Sequence, residues 1–177
     1  MSGHEHGAEP ALDEASWDER YRTAPHLWSG RPNAQLVAEI AGRVPGRALD
    51  AGCGEGADAV WLARQGWEVV ATDISGVALE RAARHADEAG AAVAARIEWR
   101  RVDLLDAPSP GSFDLVSVQF MQLAPEPRAR LFTALAASVR AGGTLLVVGH
   151  HPSDLASGMH RVHGPDRFYD SDDVARL

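Results

Sequence analysis

Short apolar runs alternate with helical stretches through most of the chain, and that alternation leaves few folds open. Residues 48–51, 68–72, 97–102, 113–120 and 144–149 are rich in Val, Leu and Ile and bounded by Gly, Pro or Asp, as strands buried on both faces are. Helical patterns fill most of the gaps: 57–65 with Gly66 as its stop, 77–89 with Ser75 as cap and Gly90 as stop, and 125–140 before Gly142-Gly143. Only residues 97–113 leave room for no more than a loop or short turn. Strands alternating with helices imply right-handed crossovers and a parallel, doubly wound Rossmann-like α/β sheet with helices on both faces. Ahead of it, an amphipathic helix carrying Trp17 and Tyr21 runs out before Pro25. A second fits residues 32–44, with Pro32 in its first turn, Leu36, Val37, Ile40, Ala41 and Val44 as its stripe, and Pro45-Gly46 as its end.

At 177 residues the chain reads as a flexible tail over 1–12 and a single domain over 13–177. No apolar run approaches the 18 residues a membrane helix needs. The formal net charge of −8 argues against non-specific binding to nucleic acid or anionic lipid. The lone Cys53 and the lack of a basic, apolar leader point to a cytoplasmic setting. All 17 basic residues are arginine, which excludes Schiff-base, pyridoxal-phosphate and P-loop lysine chemistry.

The chemistry concentrates in Leu49-Asp50-Ala51-Gly52-Cys53-Gly54-Glu55-Gly56-Ala57, which follows a strand and opens a helix. Its glycines let the main chain turn sharply and let a ligand approach it. They also fit a dinucleotide pattern, or a tight turn without a ligand. Asp50 separates these readings, because a carboxylate there suits a cationic ligand such as S-adenosylmethionine and repels the pyrophosphate of NAD. Asp73 ends the next strand, 23 residues on, where it can accept both ribose hydroxyls or cap the following helix. Asp103, then Leu104, follows the third strand. Three strand tips thus carry carboxylates on one sheet edge, where ligands bind in open parallel sheets.

These residues resemble the class I S-adenosylmethionine-dependent methyltransferases over residues 47–149. The resemblance makes Asp50, Gly52, Gly54 and Gly56 the cofactor loop, Asp73-Ile74 the ribose site and Asp103-Leu104 the adenine site. Trp17-Asp18-Glu19-Arg20-Tyr21, with Trp28 and Pro32-Asn33, is similar to the N-terminal segment of the small bacterial tellurite-resistance and thiopurine methyltransferase group. On that likeness residues 13–33 form a mobile lid in which Trp17, Tyr21 and Trp28 exclude water and Arg20 or Arg22 meets the methionine carboxylate; the alternative is an ordinary packing helix. The implied function is methyl transfer from S-adenosylmethionine to a small-molecule acceptor, with a binding module lacking turnover, or an NAD-dependent oxidoreductase, as alternatives.

A base is needed only for protonated oxygen or nitrogen acceptors, since a soft thiolate, selenide or tellurium nucleophile reacts without one. His150 and His151, beyond the fifth strand, are the candidates, with solvated loop residues as the other reading. His160 and His163 could join them at a metal, but no further ligand at matching spacing completes a set, so no metal is expected. Cys53 reads as a small buried spacer. Gln119 and Gln122, flanking Met121, are candidates to bind the cofactor's amino group or the acceptor, against a reading as core and loop residues. Residues 171–174 look like a cap and acidic first turn. The antiparallel strand pair usual in the resembling family would have to follow Leu177, so the expectation is an incomplete C-terminus. The fifth strand would then be an exposed apolar edge through which copies self-associate, with cofactor binding surviving and acceptor binding impaired, unless residues 151–169 fold back over it.

Overall fold

The five apolar runs pair as one all-parallel sheet in a computed structural model that describes residues 13–107, 111–156 and 164–177. Its strands are β1 (Arg47–Ala51), β2 (Glu68–Asp73), β3 (Ile97–Arg101), β4 (Phe113–Gln119) and β5 (Val139–Val148), in the spatial order β3-β2-β1-β4-β5. This is the expected Rossmann-like α/β architecture. Chain order reverses beside β1, which pairs with β2 on one side and β4 on the other. A crevice therefore opens at the C-terminal ends of these strands. The tail expected over residues 1–12, and His160 and His163, lie outside the described residues.

Eight α-helices occur among the described residues, α1 (Glu14–Thr23), α2 (Ala34–Ile40), α3 (Ala57–Arg64), α4 (Gly76–Ala89), α5 (Ala91–Ala94), α6 (Pro125–Ala137), α7 (Ser153–Ala156) and α8 (Ser171–Ala175), with one 3-10 turn at Pro165–Arg167. Alternation of side chains along the strands divides the core in two. Ala48, Val69, Ala71, Ile97 and Leu115 pack on one face against Leu36 and Ile40 of α2, Ala59 and Leu62 of α3 and Ala86 of α4. Leu49, Ala51, Val70, Val116 and Val118 pack on the other against Leu131, Phe132 and Leu135 of α6 and against Tyr169. Burial on both faces explains why the strands read as continuous apolar runs.

Several boundaries differ from the sequence reading for local reasons. Helix α2 starts after Asn33, whose side chain accepts the Gln35 N–H, so Pro32 precedes the cap instead of occupying the first turn. It ends at Ile40 because Ala41 leaves the helix and Gly42 takes a left-handed φ of 80°, a helix-stopping conformation. Val44 is accordingly 89% exposed instead of completing the apolar stripe. Strand β5 begins five residues early, at Val139, and slips register against β4 between Phe113 and Leu115. Asp114, within the slip, accepts the Arg47 N–H at 2.7 Å and pairs with Arg140. The cap of α8 is Asp170, in a reciprocal capping box with Asp173, one residue before the expected Ser171.

β5 pairs only with β4 among the described residues, but its side chains are not bare. Thr144 to Val148 are half-buried, with Leu145 and Val147 packed in the same cluster as Tyr169 and Val174. Tyr169 N–H donates to His150 O, and its ring meets Phe132 edge-on at 5.7 Å. The segment that includes Tyr169 thus folds back against one face of the strand, so the side chains of the expected apolar edge are partly covered while its second backbone edge has no strand partner among the described residues.

Candidate functional site

The glycine-rich loop hangs from β2. Gly52 N–H and Cys53 N–H both donate to Thr72 O at 2.9 Å, and Gly54 N–H donates to Asp73 Oδ2 at 2.8 Å. Gly52 and Gly54 have φ of 76° and 53°, values that favour glycine. A Cβ at Gly52 would lie 2.8 Å from the Met121 methyl, and one at Gly54 would lie 3.0 Å from the Tyr21 hydroxyl. These glycines therefore keep a narrow space between the loop, the end of β4 and the N-terminal segment. Gly56 caps α3 without a side chain, leaving the first N–H groups of that helix beside the loop.

Three carboxylates converge under it. Asp50 is fully buried, and its Oδ2 has no hydrogen-bond partner. Burial, then the nearby charges of Asp58 and Asp73, hold its carboxyl well above the ordinary range, against one backbone N–H bond from Ala59. Burial likewise raises Asp58, although the Asn33 N–H donates to it at 2.6 Å. Asp73 is raised by burial too, opposed by N–H bonds from Ser75 and Gly54. Asp73 thus already holds the loop, and Ser75, whose hydroxyl accepts the Ala78 N–H, is the cap of α4. Each carboxylate oxygen of Asp73 keeps acceptor capacity for a second donor.

Asp50 pairs with Ser117 in the β1–β4 register, so Gln119, two residues beyond Ser117, shares its face. Gln119 Nε2 donates to Ser117 Oγ at 2.8 Å, while its Oε1 is buried without a partner. Two unpartnered acceptors on one face of adjacent strand ends are costly unless a donor meets them. A cationic, hydrogen-bond-donating group fits that pair, and a phosphate does not.

Helix α1 is docked over this loop. Asp18 Oδ1 accepts from Ser75 Oγ at 2.6 Å and from Val77 N–H at 3.3 Å, satisfying the start of α4. The buried Glu55 carboxylate accepts the N–H groups of Leu27 and Trp28 with Oε2 and pairs through Oε1 with Arg81 at 2.9 Å. Arg81 also donates to the Tyr21 and Pro25 carbonyls. The buried Tyr21 receives a hydrogen bond on its hydroxyl from Trp28 Nε1 at 3.0 Å. Trp28 is 54% exposed and Trp17 half-buried beside Tyr21. Arg20 lies over the Trp17 ring and Arg22 pairs with Asp18. Both are engaged within α1, so the arginine that reaches the loop is Arg81 of α4. Sequence reasoning missed Asp18, Glu55 and Arg81, because nothing local marks a charge whose partner lies 26 to 60 residues away.

The remaining candidates separate. Half-buried Ile74 follows Asp73. Asp103 Oδ1 accepts the Leu105 N–H at 2.9 Å, and Leu104 packs on the second core. Burial and then the Asp50 and Asp73 charges push the Cys53 thiol up, in keeping with an inert spacer. Gln122 is buried, its amide nitrogen donating to Arg167 O at 2.6 Å and its oxygen accepting from His150 N–H at 2.9 Å. The His151 Nδ1 accepts the Ser153 N–H at 3.1 Å, at the start of α7. The His150 ring instead lies beside Phe120, at 4.9 Å between centroids. No group of three possible metal ligands occurs among the described residues.

Comparison with known proteins agrees with this geometry. Residues 48–143 match the family model described as "Methyltransferase domain". The chain is similar to the ubiquinone biosynthesis O-methyltransferases of Ralstonia nicotianae, 38% identical over 66% of this chain and 44% of that protein, and Cupriavidus pinatubonensis, 31% over 78% and 59%. It spans less than half the length of the first of these. A solved structure described as "Conversion of a Disulfide Bond into a Thioacetal Group during Echinomycin Biosynthesis" is 25% identical and superposes with a TM-score of 0.70 over 92% of this chain and 75% of its own. The glycopeptide N-methyltransferase MtfA complexed with S-adenosyl-L-methionine, 21% identical over 70% of this chain and 51% of its own, shares the fold with a TM-score of 0.60. The chain belongs to the methyltransferase domain family, of the class I S-adenosylmethionine-dependent type.

Proposed function

We propose that the chain binds S-adenosylmethionine in the crevice at the ends of β1, β2 and β4 and transfers its methyl group to a small-molecule acceptor. The observation that carries this reading is the pair of buried, unpartnered acceptors, Asp50 Oδ2 and Gln119 Oε1, whose chemistry suits the ammonium end of the cofactor. Gly52 and Gly54 give the ligand access to the main chain, Asp73 accepts the ribose hydroxyls, and Ile74, Asp103 and Leu104 bound the adenine. Tyr21 and Trp28 close over the methionine end and exclude water, with Trp17 behind them.

The cofactor supplies an activated methyl on a sulfonium, whose leaving group is a neutral thioether. The protein therefore has no leaving anion to stabilise and contributes mainly by positioning, worth on the order of 7–11 kcal/mol in well-oriented systems. Lid behaviour of residues 13–33, as in the tellurite-resistance and thiopurine methyltransferase group, belongs to this proposal; the Glu55–Arg81 and Asp18 contacts are what such a lid would have to release. A single domain, a cytoplasmic setting, no nucleic-acid partner and self-association along β5 belong to it as well.

Incubation with S-adenosylmethionine labelled on the methyl, together with a metabolite extract, tests turnover. Label is expected in small products. Tight S-adenosylhomocysteine binding with no transfer to any acceptor would instead make the chain a binding module.

A further inference from the structure

Residues 24–33 run irregularly from the end of α1 to the start of α2, and they carry Trp28 to the rim of the glycine-rich loop. Packing alone does not fix that ring, which is 54% exposed. Two charged side chains fix its main chain instead. Glu55, inside the loop, accepts the Leu27 and Trp28 N–H groups with Oε2, each at 3.2 Å, and its Oε1 pairs with Arg81 Nη1 at 2.9 Å. Arg81, on α4, donates Nη2 to the Tyr21 carbonyl and Nη1 to the Pro25 carbonyl. The Glu55 and Arg81 side chains are only 5% and 15% exposed. One turn on from Arg81, His85 Nδ1 lies 3.0 Å from the Glu55 carbonyl, so α4 meets the main chain of the loop as well.

Apart from the ion pair itself, these bonds of Glu55 and Arg81 fall on backbone atoms of residues 21–28, and so they set the path of the chain. That path places two side chains. A Cβ on Gly54 would meet the Tyr21 hydroxyl at 3.0 Å and Trp28 Nε1 at 3.2 Å. Trp28 Nε1 donates to the Tyr21 hydroxyl, which leaves the Tyr21 O–H to donate in turn. A buried ion pair is a costly way to hold a segment, since well-packed apolar residues do so as well or better. What this pair adds is a fixed register between the loop and residues 21–28.

We propose that Glu55 and Arg81 are positioning residues for the methionine end of the cofactor, acting through the main chain of residues 21–28 to hold the Tyr21 O–H donor at Gly54. This deepens the S-adenosylmethionine reading and rests on it. The two ends of that amino acid need opposite partners. Asp50 Oδ2 and Gln119 Oε1 are acceptors suited to its ammonium. Its carboxylate needs a donor, which Tyr21 supplies while Arg20 and Arg22 are engaged within α1. An arginine suits position 81 because its planar fork reaches a carboxylate and two carbonyls together. A lysine ammonium keeps the charge but not that span.

Titration calorimetry of the full chain tests this with S-adenosylhomocysteine and 5′-deoxy-5′-methylthioadenosine, which shares the adenosine and the sulfur but has no amino-acid end. The wild type is expected to prefer S-adenosylhomocysteine by about tenfold or more. Arg81→Lys keeps a cation beside Glu55 and thereby the fold. It should lower S-adenosylhomocysteine affinity roughly three- to tenfold, with methylthioadenosine affinity within about twofold of the wild type. Glu55→Gln, which keeps one oxygen for the Leu27 and Trp28 N–H groups, should show the same selective loss. Tyr21→Phe should show it too, and the Tyr21→Phe, Arg81→Lys double variant should lose little more than either single one, because the arginine acts through the tyrosine. Four results would overturn the proposal while leaving cofactor binding in place: no preference between the two ligands in the wild type, an unchanged S-adenosylhomocysteine affinity in Arg81→Lys, equal losses for both ligands, or additive losses in the double variant. Absence of S-adenosylhomocysteine binding to the wild type would overturn both readings.

Discussion

Asp50→Asn is expected to raise the melting temperature of the ligand-free protein and to weaken S-adenosylhomocysteine binding by about ten- to a hundredfold. Both effects come from one buried carboxylate with an unpartnered oxygen. Without ligand it costs stability, of order 1–3 kcal/mol for an unsatisfied buried group, or a few degrees in a domain of this size. With a cationic ligand the same oxygen makes a charge-assisted hydrogen bond worth about 1.5–3 kcal/mol, the source of the predicted loss. The pH dependence has a definite sign. Burial raises the folded-state pKa of Asp50 above its ordinary 3.8, so between those values the folded state binds more protons than the unfolded one. Stability therefore falls as pH rises from the ordinary carboxylate range through the raised value. Asp50→Asn should flatten that fall without abolishing it, because Asp58 and Asp73 are raised as well. Calorimetric scans across pH check the first part and ligand titration the second; unchanged affinity would show that Asp50 faces no ligand cation.

Asp73→Ala is expected to lose at least tenfold in cofactor affinity and also stability, because its carboxylate has two duties. It accepts Gly54 N–H and Ser75 N–H, so truncation strands two buried donors and loosens the loop. The proposed ribose contacts are lost with it. A ligand variant separates the duties: wild-type protein should prefer S-adenosylhomocysteine to its 2′,3′-dideoxy analogue by about tenfold or more, and Asp73→Ala should bind both equally weakly. Equal binding of the two by the wild type would leave Asp73 as a support for the loop alone.

What could be read from the sequence follows from the range of the interactions involved. The β1–loop–α3 unit is local: an apolar run, glycines where the chain must turn left-handed, and a helix starting at Ala57. The same holds for Asp73 at the end of β2 and for Ser75 as the cap of α4. Arg81 sits on α4 like any solvated charge in the sequence, and only the fold brings it to Glu55 and the Tyr21 carbonyl. His150 and His151 were indistinguishable as neighbours until the backbone turned one toward the Ser153 N–H and the other toward Phe120. The hydrogen bonds of Gln122 to Arg167 and His150 could not be read from the sequence, because they depend on how the C-terminal segment folds back. The unexpected left-handed φ of Phe120 is invisible in composition, since it depends on the β4–β5 pairing that holds its N–H.

The crevice at the ends of β1, β2 and β4 is proposed to suit a cationic adenosyl ligand and not a pyrophosphate. Titration calorimetry of the full chain with S-adenosylhomocysteine and, separately, with NAD tests it most directly. Saturable heat with S-adenosylhomocysteine and none with NAD is the predicted result. Saturable binding of NAD with no response to S-adenosylhomocysteine would contradict it.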